Sequence, residues 1–212
     1  MPDAPRVVNE QRATNMPELS EIYDRGWFEE RTRYRPVYHA FADAVWELWR
    51  PRAVLDVGCG AGYLVEGFAG RCPALGVDGS EGARAVQGPE ARKRCLLRDL
   101  TAGEVPRVAL RLPMAVSIEV AEHIEPELTA EFVRWFGGCQ RLLLTAAPPG
   151  QGGTHHVNER EPEFWRRLLA GRGLAYRPQE TERWQQAARA RTKGCPWVVR
   201  NAMVFRREEA AP

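Results

Sequence analysis

The apolar positions of this chain fall into short, nearly unbroken runs divided by stretches of helical period. Ala53 to Val57, Ala74 to Val77, Pro113 to Ile118 and Arg141 to Ala146 read as buried strands, with Arg94 to Arg98, Leu174 to Arg177 and Asn201 to Arg206 as further strands. Between them, Leu64, Val65 and Phe68 recur at helical spacing, and Ser80 is placed to cap a helix running to Val86. Pro126–Phe136, Pro162–Ala170 and Glu180–Arg191 also read as helices, the second with Pro162 near its first position and acids in its first turn. Strands alternating with helices predict an α/β fold with helices on both faces of a largely parallel sheet.

Ahead of the first strand, Trp27, Phe28, Tyr34, Val37, Phe41, Val45 and Leu48 form an apolar stripe that Pro36 breaks in two. This predicts a helical cover over residues 17–50. Residues 1–16 are polar, carry two prolines and hold no period, which predicts a mobile tail. Residues 17–212 have the size of a single domain.

The most informative stretch runs from Ala53 to Gly70, AVLDVGCGAGYLVEGFAG. A strand ends near Asp56, a glycine-spaced turn follows, and a helix begins after it. Glycine is needed where a turn reaches positive φ or where backbone must approach a ligand, and a helix start favours a polar ligand. Asp78 closes the next apolar run twenty residues beyond Gly58, where a doubly wound sheet places the carboxylate that binds ribose hydroxyls. Strand, turn, helix, strand and acid in this order point to a nucleoside-containing cofactor. Tyr63 stands where a dinucleotide fingerprint needs its last glycine, which counts against an oxidoreductase.

The D-V-G-C-G-A-G pattern resembles motif I of class I S-adenosylmethionine-dependent methyltransferases. That resemblance covers roughly Ala53 to Arg206 and implies a Rossmann-like, mixed seven-stranded sheet with strand seven antiparallel. It implies S-adenosylmethionine as cofactor, with Gly58 and Gly60 against its methionine half, Asp56 anchoring the turn, Asp78 on the ribose, and Leu100, after Asp99, over the adenine. An N-terminal helical segment often covers the pocket in such enzymes, which makes Tyr34 a candidate for acceptor contact and Arg31, Arg33 and Arg35 candidates for a carboxylate.

Ser117 to Ile124, S-I-E-V-A-E-H-I, follows strand four, at the end of the sheet that faces the ligand crevice. It resembles motif IV of ubiquinone-pathway and related small-molecule O-methyltransferases. His123 is placed to act as a base for a hydroxyl acceptor, with Glu119 and His156 as further catalytic candidates; the other reading has Glu119 and His123 holding the loop while positioning alone carries the reaction. After strand five, a Gly- and Pro-rich loop carries His155, His156 and Asn158, with His155 and Asn158 candidates for substrate contact. Glu119, Glu122 and His123 stand at i, i+3 and i+4, so a helical turn would gather them with His156 into a mixed oxygen and nitrogen site for a divalent ion. E-x-x-E-H with a later histidine resembles the small-RNA 3′-terminal 2′-O-methyltransferases. The site is nevertheless expected to hold no metal.

Composition narrows the picture further. A net charge of +2 argues against a nucleic-acid partner. Cys59, Cys72, Cys95, Cys139 and Cys195 show no metal-finger spacing and are odd in number, which predicts reduced thiols in a cytoplasm. No run approaches membrane-spanning length and no signal peptide is evident. The sequence therefore predicts a cytoplasmic methyltransferase acting at oxygen on a small molecule, a sugar or secondary metabolite. A metal-assisted RNA 2′-O-methyltransferase and a non-catalytic cofactor-binding module are the alternatives.

Overall fold

The computed structural model of the chain describes residues 19–208; the tail expected over residues 1–16 lies outside them. Seven strands form one sheet: β1 (Val54–Val57), β2 (Ala74–Asp78), β3 (Cys95–Leu97), β4 (Met114–Ile118), β5 (Arg141–Thr145), β6 (Leu174–Tyr176) and β7 (Met203–Arg207). Their order is β3-β2-β1-β4-β5-β7-β6. Pairings from β3 across to β5 are parallel, and β7 runs antiparallel to both β5 and β6. This is the mixed Rossmann-like sheet expected. The strand order reverses between β1 and β4, and a doubly wound sheet opens its ligand crevice beyond the carboxyl ends of the strands at that point.

Among the described residues, ten α-helices surround the sheet: α1 (Leu19–Ile22), α2 (Arg25–Glu30), α3 (Arg35–Trp49), α4 (Tyr63–Gly67), α5 (Glu81–Val86), α6 (Pro89–Arg94), α7 (Thr129–Phe132), α8 (Pro162–Ala170), α9 (Pro178–Arg191) and α10 (Pro196–Asn201). Successive strand residues point to opposite faces. Val54, Val116, Leu143 and Val204 thus join a core beneath α3, α4 and α9, which contribute Phe41, Leu64 and Trp184. Leu55, Ala115, Leu142 and Phe205 join a second core with Phe132 of α7 and Trp165 of α8.

The helical cover is present but divided differently from the sequence reading. The chain breaks at a 3-10 turn over Arg31–Tyr34, and Pro36 lies in the first turn of α3. There its missing N–H costs nothing, so Pro36 starts a helix rather than interrupting one. Ser80 caps α5 as expected, its hydroxyl accepting from the Ala83 amide at 3.0 Å.

Other departures lie at element ends. Residues 126–136 fold as three short segments, α7 being flanked by 3-10 turns over Pro126–Leu128 and Val133–Phe136. Arg94 ends α6 instead of starting a strand, and Asn201 ends α10. Among the described residues, no helix is long and apolar enough to cross a membrane, and all five cysteines are free.

Candidate cofactor and acceptor site

The turn after β1 is held from beneath by β2. Gly58 and Cys59 donate their amides to the Val77 carbonyl at 2.8 and 3.0 Å, and Gly62 donates to Cys59 at 2.8 Å. The Gly60 amide donates to one Asp78 oxygen at 2.8 Å, and the Ser80 amide donates to the other at 2.8 Å. Asp78, not Asp56, therefore anchors the turn. Gly58 has φ +80, and a Cβ there would stand 2.2 Å from Val120, so only glycine lets the turn lie against the segment leaving β4.

Asp56 lines the same crevice from β1. Burial, then the negative charge of Asp78, push its pKa up to about 8. Burial also raises Asp78, opposed by its two amide donors. Two carboxyl groups that resist ionisation without a ligand form a surface suited to hydroxyl donors and to a cation.

Asp56, Gly58, Gly60, Asp78, Asp99 and Leu100 all line one cavity of about 540 Å³. Asp99 is steadied by the amide and hydroxyl of Thr101 at 2.7 and 2.8 Å. Tyr34, His123 and His155 line the same cavity, so the structure brings these nine expected residues together. The cover closes it with Tyr23, Trp27 and Arg31. The Arg31 guanidinium lies 3.5 Å above the Trp27 ring and donates to the Trp27 carbonyl at 2.9 Å.

His123 sits at the end of a 3-10 turn over Ala121–His123. Its Nδ1 lies 2.8 Å from the Tyr23 hydroxyl and 3.1 Å from the His155 carbonyl. Burial lowers its pKa to about 4, with the neighbouring His156 acting in the same direction, so the ring is neutral at physiological pH. Burial is also the main cause that raises the Tyr23 phenol to about 12, so it keeps its proton.

Six expected residues do not line the cavity: Glu119, Glu122, His156 and Asn158, with Arg33, which donates to the Tyr34 hydroxyl at 3.3 Å, and Arg35, which pairs with Glu66 at 2.8 Å. Glu119 takes a left-handed φ of +53 directly after β4, so no helical turn places it over Glu122 and His123. Its carboxylate instead accepts from Thr145 at 2.8 Å and Gln151 at 3.2 Å. Asn158 is 2% exposed and works inside the fold, donating to Thr129 at 3.0 Å and accepting from Arg160 at 2.8 Å. His156 lies behind His123, ring centroids 4.9 Å apart, with Nδ1 2.9 Å from Glu159. Glu122 is fully buried, neither carboxyl oxygen has a hydrogen-bond partner, and burial followed by the charge of Glu119 hold its pKa far above the usual range.

Tyr23, Trp27 and Val120 are among the lining residues that sequence reasoning did not place in the site. A tyrosine and a tryptophan four apart in a helical stretch carry only a packing signal, and nothing local says that they reach the end of β4.

No family model matches the chain, and no curated protein matches it. Solved structures do. DesVI of Streptomyces venezuelae shares 14% identity at a TM-score of 0.62, over 92% of this chain and 100% of that one. Magnesium protoporphyrin IX methyltransferase (ChlM) of Synechocystis PCC 6803, solved with bound SAH, shares 16% at 0.54, over 91% and 88%. The [4+2]-cyclase SpnF shares 15% at 0.55, over 81% and 82%. The chain thus has the Rossmann-like fold on which S-adenosylmethionine-dependent methyltransferases are built.

Proposed function

We propose that the chain is an S-adenosylmethionine-dependent methyltransferase that acts on a hydroxyl of a small molecule, a sugar or a secondary metabolite. The observation that carries this reading is the single cavity running from the Asp78-anchored glycine turn to the neutral ring of His123. A fold alone does not fix an activity, and the likeness to a protein described as a cyclase makes the same point. The site residues therefore bear the weight. The SAH bound in the ChlM structure supports this choice of cofactor.

S-adenosylmethionine supplies an activated methyl on a cationic sulfur. Asp78 has accepting capacity left for ribose hydroxyls beyond its two amide contacts. Gly58 and Gly60 give the methionine half room against the backbone, Leu100 offers an apolar surface to the adenine, and Asp56 becomes the counter-charge to the cation. Arg31 is placed to meet a carboxylate of cofactor or acceptor. His123, neutral and half-buried, takes the acceptor's hydroxyl proton as the oxygen gains the methyl; most of the acceleration comes from in-line placement.

The test is incubation of the full chain with methyl-labelled S-adenosylmethionine and a panel of hydroxyl compounds, read by mass spectrometry. Label transfer that falls by roughly 10²–10⁴-fold in His123→Ala supports the reading. Unimpaired transfer in that variant leaves positioning as the whole mechanism, and no transfer to any acceptor supports a binding module.

One observation favours a second reading. Atoms of the unpartnered Glu122 carboxyl and of the His123 and His156 rings all lie within 4.8 Å of one another. Glu159 holds Nδ1 of His156, the outer contact that commonly orients a metal-binding imidazole. One carboxylate and two imidazoles suit Mn²⁺, Fe²⁺ or Zn²⁺, which would supply a Lewis acid on the side of His123 away from the cavity. This set omits Glu119. Thermal stabilisation by Mn²⁺ or Zn²⁺ that disappears in Glu122→Gln, with activity lost to a chelator, supports it; indifference to both removes it.

A further inference from the structure

We propose that Tyr23 is a positioning residue that ties closure of the helical cover to the orientation of His123, so that the ring keeps its Nε2 lone pair free for the acceptor. The inference rests on the reading of His123 as the base.

Tyr23 lies between α1 and α2 and is fastened at both ends. Its carbonyl accepts from the Ser80 hydroxyl at 2.9 Å, two residues beyond Asp78. A Cβ on Gly82 would stand 2.3 Å from that carbonyl, so the cover reaches the start of α5 only because residue 82 has no side chain. Its hydroxyl crosses to the other wall, 2.8 Å from His123 Nδ1 and 3.3 Å from the Thr154 carbonyl. The Tyr23 ring packs edge-on against Trp27 and His123, with centroids 5.0 and 5.6 Å away. One residue thus joins the cofactor wall to the elements following β4 and β5.

The contacts also select a proton arrangement. A neutral imidazole has one N–H. The His155 carbonyl, 3.1 Å from Nδ1, would face a lone pair unless that proton is on Nδ1. With the proton there, Nδ1–H is shared between the His155 carbonyl and the Tyr23 oxygen, and the Tyr23 hydroxyl donates to Thr154. All four groups are then satisfied, and Nε2 carries the lone pair. His155 has φ +55, an unfavourable conformation for a side-chain-bearing residue, so its carbonyl depends on its neighbours for placement.

The test compares the full chain with Tyr23→Phe, which keeps the ring and removes the hydroxyl, and with Gly82→Ala, which pushes the cover outward without touching His123. The ring ¹⁵N shifts of His123 report the tautomer, and steady-state kinetics separate kcat from KM. The wild type shows a proton on Nδ1. Both variants show a mixed tautomer and a kcat lower by roughly tenfold to a hundredfold, with S-adenosylmethionine affinity within about threefold in Tyr23→Phe. A wild-type ring protonated on Nε2 overturns the proposal, as does a Tyr23→Phe variant with unchanged tautomer and kcat. Should no acceptor be methylated by the wild type, the enzyme reading fails, while the tautomer shifts still decide whether Tyr23 orients His123.

Discussion

The Gly60 amide and the Asp78 carboxylate stand 2.8 Å apart, so the acid proposed to receive a ribose also fastens the glycine turn. Its second oxygen does the same for Ser80. Ligand contact and local fold are thereby linked at one side chain.

Asp78→Ala strips the carboxylate partner from two half-buried amides, each loss costing about 1 kcal/mol. The variant is expected to melt at a lower temperature and to lose at least about tenfold in S-adenosylmethionine affinity, while Asp78→Asn, which keeps one accepting oxygen, falls between it and wild type. Calorimetry and thermal melts measure both. A wild-type melting point in Asp78→Ala would contradict the anchoring role.

Gly58 and Val120 form a second linked pair, because a Cβ at 58 would lie 2.2 Å from Val120. Gly58→Ala should destabilise the fold by about 1–3 kcal/mol from overpacking, together with the strain of alanine at φ +80. Adding Val120→Ala should recover the overpacking part but not the backbone part. Denaturant unfolding of the four proteins in the cycle gives the coupling energy. Strict additivity would mean that the two residues do not meet.

Much of this was legible before any coordinates. The strand runs are apolar because both faces of a parallel sheet are covered, and Ser80 caps a helix through a local bond; such signals are written in neighbouring residues. The aim of a side chain leaving a strand is not. Glu119, Glu122 and His123 have helical spacing, yet Thr145 and Gln151, from the next strand and loop, draw the Glu119 carboxylate aside. Tyr23 reaches His123 across one hundred positions, a contact set by how the cover docks. The helix α6 was missed because Ala91 is its only buried residue, too little to show a period.

Glu119 therefore has a structural part, holding Thr145 and Gln151. Glu119→Ala should lower stability by about 1–3 kcal/mol, since Thr145 and Gln151 lose their acceptor in a buried setting, while methyl transfer per folded molecule stays near wild type. A kcat loss comparable to that of His123→Ala, at unchanged melting temperature, would return Glu119 to the reaction.

The pH dependence of stability follows from Asp56 and His123. The folded-state pKa of Asp56 is raised from 3.8 to about 8, so between those values the folded chain holds a proton that the unfolded chain has released, and stability falls as pH rises. His123 is lowered from 6.5 to about 4, so its contribution is fully present above 6.5 and is lost as pH falls toward 4. The two oppose each other below 6.5, and the falling limb of Asp56 stands clear of His123 between 6.5 and 8. Melting curves over that upper window should show a loss that Asp56→Asn reduces and that bound S-adenosylmethionine suppresses. Parallel curves for variant and wild type would refute the assignment.

Calorimetric titration of the full chain with S-adenosylmethionine and, separately, with NAD decides which nucleoside cofactor the crevice beside Asp78 takes. Binding of S-adenosylmethionine is expected to be saturable and weakened in Asp78→Ala, with a rise in stability of about 2.7 kcal/mol at a hundredfold excess over Kd. NAD is expected to give no heat and no stabilisation. Binding of NAD without binding of S-adenosylmethionine would contradict the choice of S-adenosylmethionine as cofactor.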